Sequence, residues 1–430
     1  MAGLVAAGGL GLHWQTDGAP LWWLLNREPP VVQAVAPVGP QRGLLSVEVA
    51  VHPRGRAALE GAWLDGQRLA LPPAPPTSDG GGHPAPTAQA VAIDTSRLTD
   101  GHHVLRLEAV DRSWRRNRAD QELVFTSDNT PPRLTVEAST TRLRAGQPAL
   151  VRWAADEVAE VHATWGSESV PALPPAGGPA PPPTPVDTRG PGGLSAPGAP
   201  NGRGTPAAVT AGAGVIAVPV QAQAGEVALH LNGRDRAGNT SEATLPLLVE
   251  SAPLPRQALL VPEHLAGLAT APVAQAEAAQ VAALTGTVRP ERLWKGPFRA
   301  PLPAGFPRTT GFGERRDYAD GHVVYHAGHD LAAPQGTAVL AAADGVVIFA
   351  APLPQRGHTV IVDHGAGVFT LYAHLLHLQV ESGQAVSAGH TVGQVGSTGL
   401  STGPHLHWEV RLRGVAVDPV AWLDLTQTLP

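Results

Sequence analysis

Cysteine is absent from the 430-residue chain. That excludes disulfides, a thiolate metal site and a cysteine nucleophile. No apolar run reaches the ~18 residues that crossing a bilayer demands, so no integral membrane span is expected. No Lys or Arg precedes Arg27, and the apolar, Gly-rich start therefore lacks the basic region of a secretory signal. Segment 1–30 is read as an N-terminal segment carrying an atypical or truncated signal. Basic charge is not in excess either: 30 Lys and Arg face 36 Asp and Glu, for a formal charge of −6 and a pI near 6.3. That balance gives no reason to expect a nucleic-acid partner, and binding to an anionic surface would have to come from local grooves.

What the chain does have is Gly (49) and Pro (44), together more than a fifth of its residues. Such a composition points to loops, turns and linkers at the expense of helix. Length allows two to four domains, each with its own core. Leu45, Val47, Val49 and Val51 alternate as in a half-buried strand, and Asp65-Gly66 between apolar flanks predicts a hairpin turn. Leu105 to Asp111 lines up with Leu229 to Asp235, each followed by a polar turn and a last apolar strand. Two tandem sandwiches follow from that repetition, spanning 31–130 and 131–250. They resemble bacterial immunoglobulin-like domains. Residues 171–214 of the second form a Pro/Gly-rich insert that cannot bury enough apolar surface to offset its ordering entropy, and disorder is expected there. A connector, 251–294, is predicted to hold one Ala-rich helix of about three turns, with Pro272 in its first turn. Trp294 and Phe298 are expected to anchor the packing of a final domain, 295–425.

Chemistry concentrates in that final domain. His405, His407, Glu409 and Arg411 alternate with Leu406, Trp408, Val410 and Leu412, the pattern of a strand with one packed and one open face. Two imidazoles then point the same way, ~7 Å apart. Upstream, His326 and Asp330 lie on an extended segment leading into a turn, since Gly328 and the Ala-Ala-Pro-Gln-Gly run from 332 argue against helix. Between them, Tyr372 and His374 share one face of another alternating run. A His, an Asp and a His can hold zinc with a fourth position open for water, and the spare histidines are left for acid–base work.

The H-x-x-x-D and H-x-H pair, spaced by Tyr-x-His, resembles the lysostaphin/LytM-type zinc metalloendopeptidases of peptidase family M23, which cut peptidoglycan peptides. The likeness covers about residues 300–424. It includes Thr310-Gly311-Phe312-Gly313, Ala342-Ala343-Asp344-Gly345 and Gly396-Ser397-Thr398-Gly399. The resemblance implies one zinc ion held by His326, Asp330 and His407. It leaves His374 and His405 as the proton handlers, in either division of roles. Tyr318, Tyr372 and Thr402 are candidates for substrate binding, Tyr318 being preferred to Tyr325 because the latter adjoins His326 and points oppositely on a strand. The same offset turns His329 away from the metal.

The expected protein is all-β: two immunoglobulin-like β-sandwich modules, a helical connector and a C-terminal lysostaphin-type β-sheet peptidase domain. Its expected function is hydrolysis of stem-peptide or cross-bridge bonds in peptidoglycan, outside the cytoplasm. The alternative is an inactive wall-binding regulator that activates cell-wall amidases, with a divisome or amidase partner.

Overall fold

The computed structural model describes residues 26–52, 57–72, 88–174, 210–250 and 254–429. The expectations for the leading segment and for most of the Pro/Gly-rich insert fall outside these residues. The chain divides into two compact units, one through residue 132 with the short segments 158–160 and 234–241, the other comprising the remainder.

In the first unit a three-stranded sheet (Val31–Ala34, Leu44–His52, Ala88–Asp94) faces a five-stranded one built on Gly101–Asp111 and Arg118–Ser127. Val47, Val49 and Val51 enter the shared core while Ser46 and Glu48 stay exposed, as the period-two pattern requires. The Asp65-Gly66 hairpin is present: both residues have positive φ (50° and 82°), and Trp63 pairs with Arg68 across the turn. A second sandwich repeats the arrangement, with Leu134–Ala138, Pro148–Ala155 and Thr210–Ala217 in its smaller sheet. Leu150 and Val215 of that sheet belong to the same apolar core as the C-terminal domain. The amide of Asp418 donates to the Gly146 carbonyl (2.8 Å).

The connector helix α1 (Ala271–Gly286) runs 16 residues, longer than expected, with Pro272 in its first turn. Val281 and Leu284 pack on Leu353, Ile361, Phe369 and Leu371 of the C-terminal domain. That domain is organised by one large sheet. Its central path runs β1 (Arg308–Thr310), β2 (His329–Ala332), β6 (His405–Leu412), β5 (Val368–Leu378), β4 (Gly357–Asp363) and β3 (Gly345–Leu353), antiparallel at each step. On one face Leu406, Trp408, Val410 and Leu412 enter the core. Trp294, Phe298 and Trp422 close it with edge-on ring contacts near 5.5 Å. The last of these belongs to the terminal helix α2 (Pro419–Thr426), N-capped by Asp418.

The opposite face of β6 departs from expectation. It is not open: His407, Glu409 and Arg411 are all buried, and only His405 is half-exposed. Alternation sorts side chains between two faces but does not say what lies on each.

Candidate metal centre

Strand register brings the site together. Asp330 on β2 is the Cα partner of His407 on β6, and His407 is in turn the partner of Ala373 on β5. His326 lies outside a strand, just after Val323–Tyr325, where the chain turns into β2. Gly328 permits that turn. A Cβ there would sit 2.2 Å from the Trp408 carbonyl oxygen, so glycine allows close passage beside β6.

Asp330 Oδ1 lies 2.9 Å from His326 Nε2 and 2.8 Å from His407 Nδ1, and those two nitrogens are 2.9 Å apart. Each imidazole spends its other nitrogen elsewhere. His326 Nδ1–H donates to the Gly311 carbonyl (2.8 Å), and His407 Nε2–H donates to Glu409 Oε1 (2.9 Å). Three lone-pair atoms therefore converge in a buried space, a repulsive arrangement unless a cation or a proton sits among them. Burial works against charge on His407, but Asp330 and Glu409 raise its pKa above the ordinary value, which favours a proton there when no ion is bound. Two imidazoles and a carboxylate are a zinc-type donor set, and the residues fit such an ion.

The surrounding electrostatics hold the donors ready. Burial would raise the Asp330 carboxyl, yet hydrogen bonds and charge from His326 and His407 hold it far below the usual range. Its second oxygen accepts from Arg316 Nη2 (2.8 Å), leaving Oδ1 for the centre. Burial pushes His326 down to about 4. Arg316 was not distinguishable in sequence from a solvated charge; neighbouring Arg315 instead bonds Asp317, its own near neighbour.

His374 and His405 flank the centre with ring centroids 4.6 Å apart, and His374 is 5.9 Å from His407. Both have the same tautomer imposed on them. His374 Nδ1–H donates to the Thr398 carbonyl and His405 Nδ1–H to the Gly403 carbonyl, each at 2.8 Å. Each Nε2 keeps its lone pair, and that of His405 lies 3.9 Å from Asp330 Oδ1. Among the described residues His374 is the one histidine with positive φ (60°), and it sits at a bulge, where three residue steps on β5 oppose two on β4. Burial, then the charges of His405 and His407, hold its pKa well below the ordinary value.

That bulge corrects the expectation for Tyr372. It breaks the alternation that would have placed Tyr372 beside His374. Tyr372 is fully buried, its hydroxyl accepting from the Ala342 amide (2.8 Å) and bonding Thr370 (2.9 Å), and it does not line the cleft. Tyr318 does line it, stacked on His322 with centroids 4.1 Å apart; Tyr325 lines it too. Thr402 is exposed in the turn before β6, outside the cleft lining. His329 turns away from the centre, as expected, and its Nε2 lies 3.1 Å from Asp418 Oδ1. One wall of the cleft comes from α1, through Ala271, Ala274 and Ala278.

Part of the chain is similar to known proteins. The sequence model described as Peptidase family M23 matches residues 324–419. DD-carboxypeptidase/endopeptidase Mpg of Neisseria meningitidis is 51% identical over 96 residues, 22% of each chain. Peptidoglycan DD-endopeptidase ShyA of Vibrio cholerae is 40% identical over 109 residues, 25% of each chain. The matches thus span about a quarter of the length of these relatives. Among solved structures, the catalytic domain of lysostaphin from Staphylococcus simulans is 29% identical, covering 30% of this chain and 92% of its own, with a TM-score of 0.23. The C-terminal part of this chain, carrying the His–Asp–His centre, is a peptidase domain of family M23.

Proposed function

We propose that the chain is a zinc-dependent endopeptidase that hydrolyses peptide bonds in peptidoglycan, acting outside the cytoplasm. The observation that carries this reading is the convergence of three donor atoms, His326 Nε2, Asp330 Oδ1 and His407 Nδ1, beside two imidazoles whose Nε2 lone pairs are free. His326 Nε2, Asp330 Oδ1 and His407 Nδ1 would hold the ion. A divalent ion there supplies Lewis acidity toward an amide carbonyl and acidifies a water. Peptidoglycan is the substrate class named for the Vibrio cholerae relative, and the family-model match, residues 324–419, spans the donors.

The chain's own groups divide the remaining work. A water oxygen adds to the carbonyl carbon while its proton passes to Nε2 of His374 or His405. The other imidazole, once its Nε2 has taken a proton from solvent, donates to the oxyanion. The C–N bond then breaks, and the protonated imidazole returns its proton to the leaving amine. Each backbone carbonyl on Nδ1 stabilises the imidazolium and fixes the ring direction. Tyr318 on the cleft wall is positioned to contact substrate, and the two sandwiches are read as immunoglobulin-like modules that carry the domain.

The test is digestion of purified sacculi by the full chain with zinc, with and without chelator, followed by mass spectrometry of the products. New amine termini within stem or bridge peptides that vanish on chelation are expected. Intact sacculi under zinc-replete conditions would overturn the enzyme reading and favour a wall-binding regulator.

A further inference from the structure

Helix α1 is Ala-rich, and nothing in its sequence marks Glu277 as more than a solvated charge. Yet Glu277 is 2% exposed. Its carboxylate accepts from the Gln355 amide (2.5 Å), the Arg356 amide (3.2 Å) and Arg356 Nη1 (2.7 Å). It thus fastens both backbone and side chain of the turn between β3 and β4.

Two routes lead from that turn into the centre. Arg356 Nε and Nη2 both close on Glu409 Oε1 (2.8 and 2.5 Å), the same oxygen that receives His407 Nε2–H. Arg411 Nε holds the other Glu409 oxygen at 2.7 Å, so the carboxylate cannot rotate away from His407. Along the second route, the Arg356 carbonyl accepts the amide of His374 (2.8 Å), the residue whose positive φ aims its ring at the cleft.

We infer that Glu277 is a positioning residue: through Arg356 it orients the metal ligand His407 and the proton handler His374 together. This rests on the proposed zinc peptidase function. Helix α1 is then part of the working domain, although the family match begins only at residue 324. A buried carboxylate contributing solely to packing would need neither the forked bridge nor the second contact through the backbone. Outer partners of metal-bound histidines typically change metal affinity 10–100-fold when altered.

The experiment uses the full chain and compares Glu277→Gln and Arg356→Lys with Val281→Ala. The last thins the packing of the same helix without touching the bridge. Zinc affinity is read by competition with a chromophoric chelator, thermal midpoint by calorimetry, and kcat and KM on a muropeptide at zinc concentrations saturating each variant. Glu277→Gln and Arg356→Lys are expected to weaken zinc at least tenfold and to lower kcat at saturating zinc, with KM little changed. Val281→Ala should lower the thermal midpoint and leave zinc affinity intact. If wild type binds zinc and both bridge variants bind it equally well, the inference is overturned while the peptidase reading stands. If a bridge variant fails to fold, the other decides by the same criterion. A wild-type chain that binds no zinc defeats both.

Discussion

Asp330 and His407 face one another directly across the β2–β6 pair, Oδ1 to Nδ1 at 2.8 Å, and this opposition fixes two of the three candidate ligand atoms by strand register alone. Asp330→Asn keeps the shape but turns a charged donor into a neutral amide. It should abolish stoichiometric zinc retention after dialysis and lower hydrolysis by about 100-fold or more. Metal content by plasma emission spectrometry checks the first outcome, dye-labelled sacculi the second.

Zinc must displace a proton from the same space. Asp330 and Glu409 raise the pKa of His407 despite burial, which favours a proton on its Nδ1 side when no ion is bound. Binding therefore releases that proton, and affinity should rise with pH, about tenfold per unit, until the raised His407 pKa is passed. Isothermal titration in two buffers of different ionisation enthalpy measures the proton released. A pH-independent affinity would contradict this account.

Removing a proton handler should separate chemistry from metal binding. His405→Ala or His374→Ala is expected to retain zinc while kcat falls by about 100- to 10,000-fold. Loss of zinc in either variant would instead place that imidazole among the ligands.

The hydroxyl of Tyr372 serves the core. Tyr372→Phe leaves the Ala342 amide without its acceptor, at a cost of about 1–3 kcal/mol in stability. KM for muropeptides should not change, whereas Tyr318→Phe or Tyr318→Ala should raise it if that cleft wall contacts substrate. Urea unfolding and steady-state kinetics distinguish the two positions.

His364 makes the domain acid-sensitive independently of any metal. Burial pushes its pKa from 6.5 down to about 4, its Nδ1–H donating to the Asp344 carbonyl and its Nε2 meeting Thr370. Between those values the unfolded chain takes up a proton that the folded chain refuses. Stability should therefore fall as pH drops from about 6.5 to 4, by about 3 kcal/mol from this group, and be insensitive to it above that window. His364→Gln should flatten the slope of unfolding free energy against pH over that range.

Much of the centre was readable in the chain. The period-two run at 405–412 put His405 and His407 on one face, and Gly328 with the following turn kept His326 and Asp330 off a helix. The hairpin at Asp65-Gly66 was equally legible, because its φ values demand residues of that type. Tyr372 shows where such reading fails: alternation holds only while the backbone stays extended, and the bulge at His374 resets it by one residue. Nothing in a single sequence announces a bulge built on a non-glycine residue.

The sequence by itself determined the donor types and which side chains share a face, because composition and strand period are local properties. Tertiary structure alone decided that the polar face of β6 would be covered, that Arg316 would take one oxygen of Asp330, and that Glu277 would reach Arg356 across 79 positions of chain. The reason is physical: a charge reads as solvated until the fold brings a partner from far along the chain, and burial together with that partner then fixes its role.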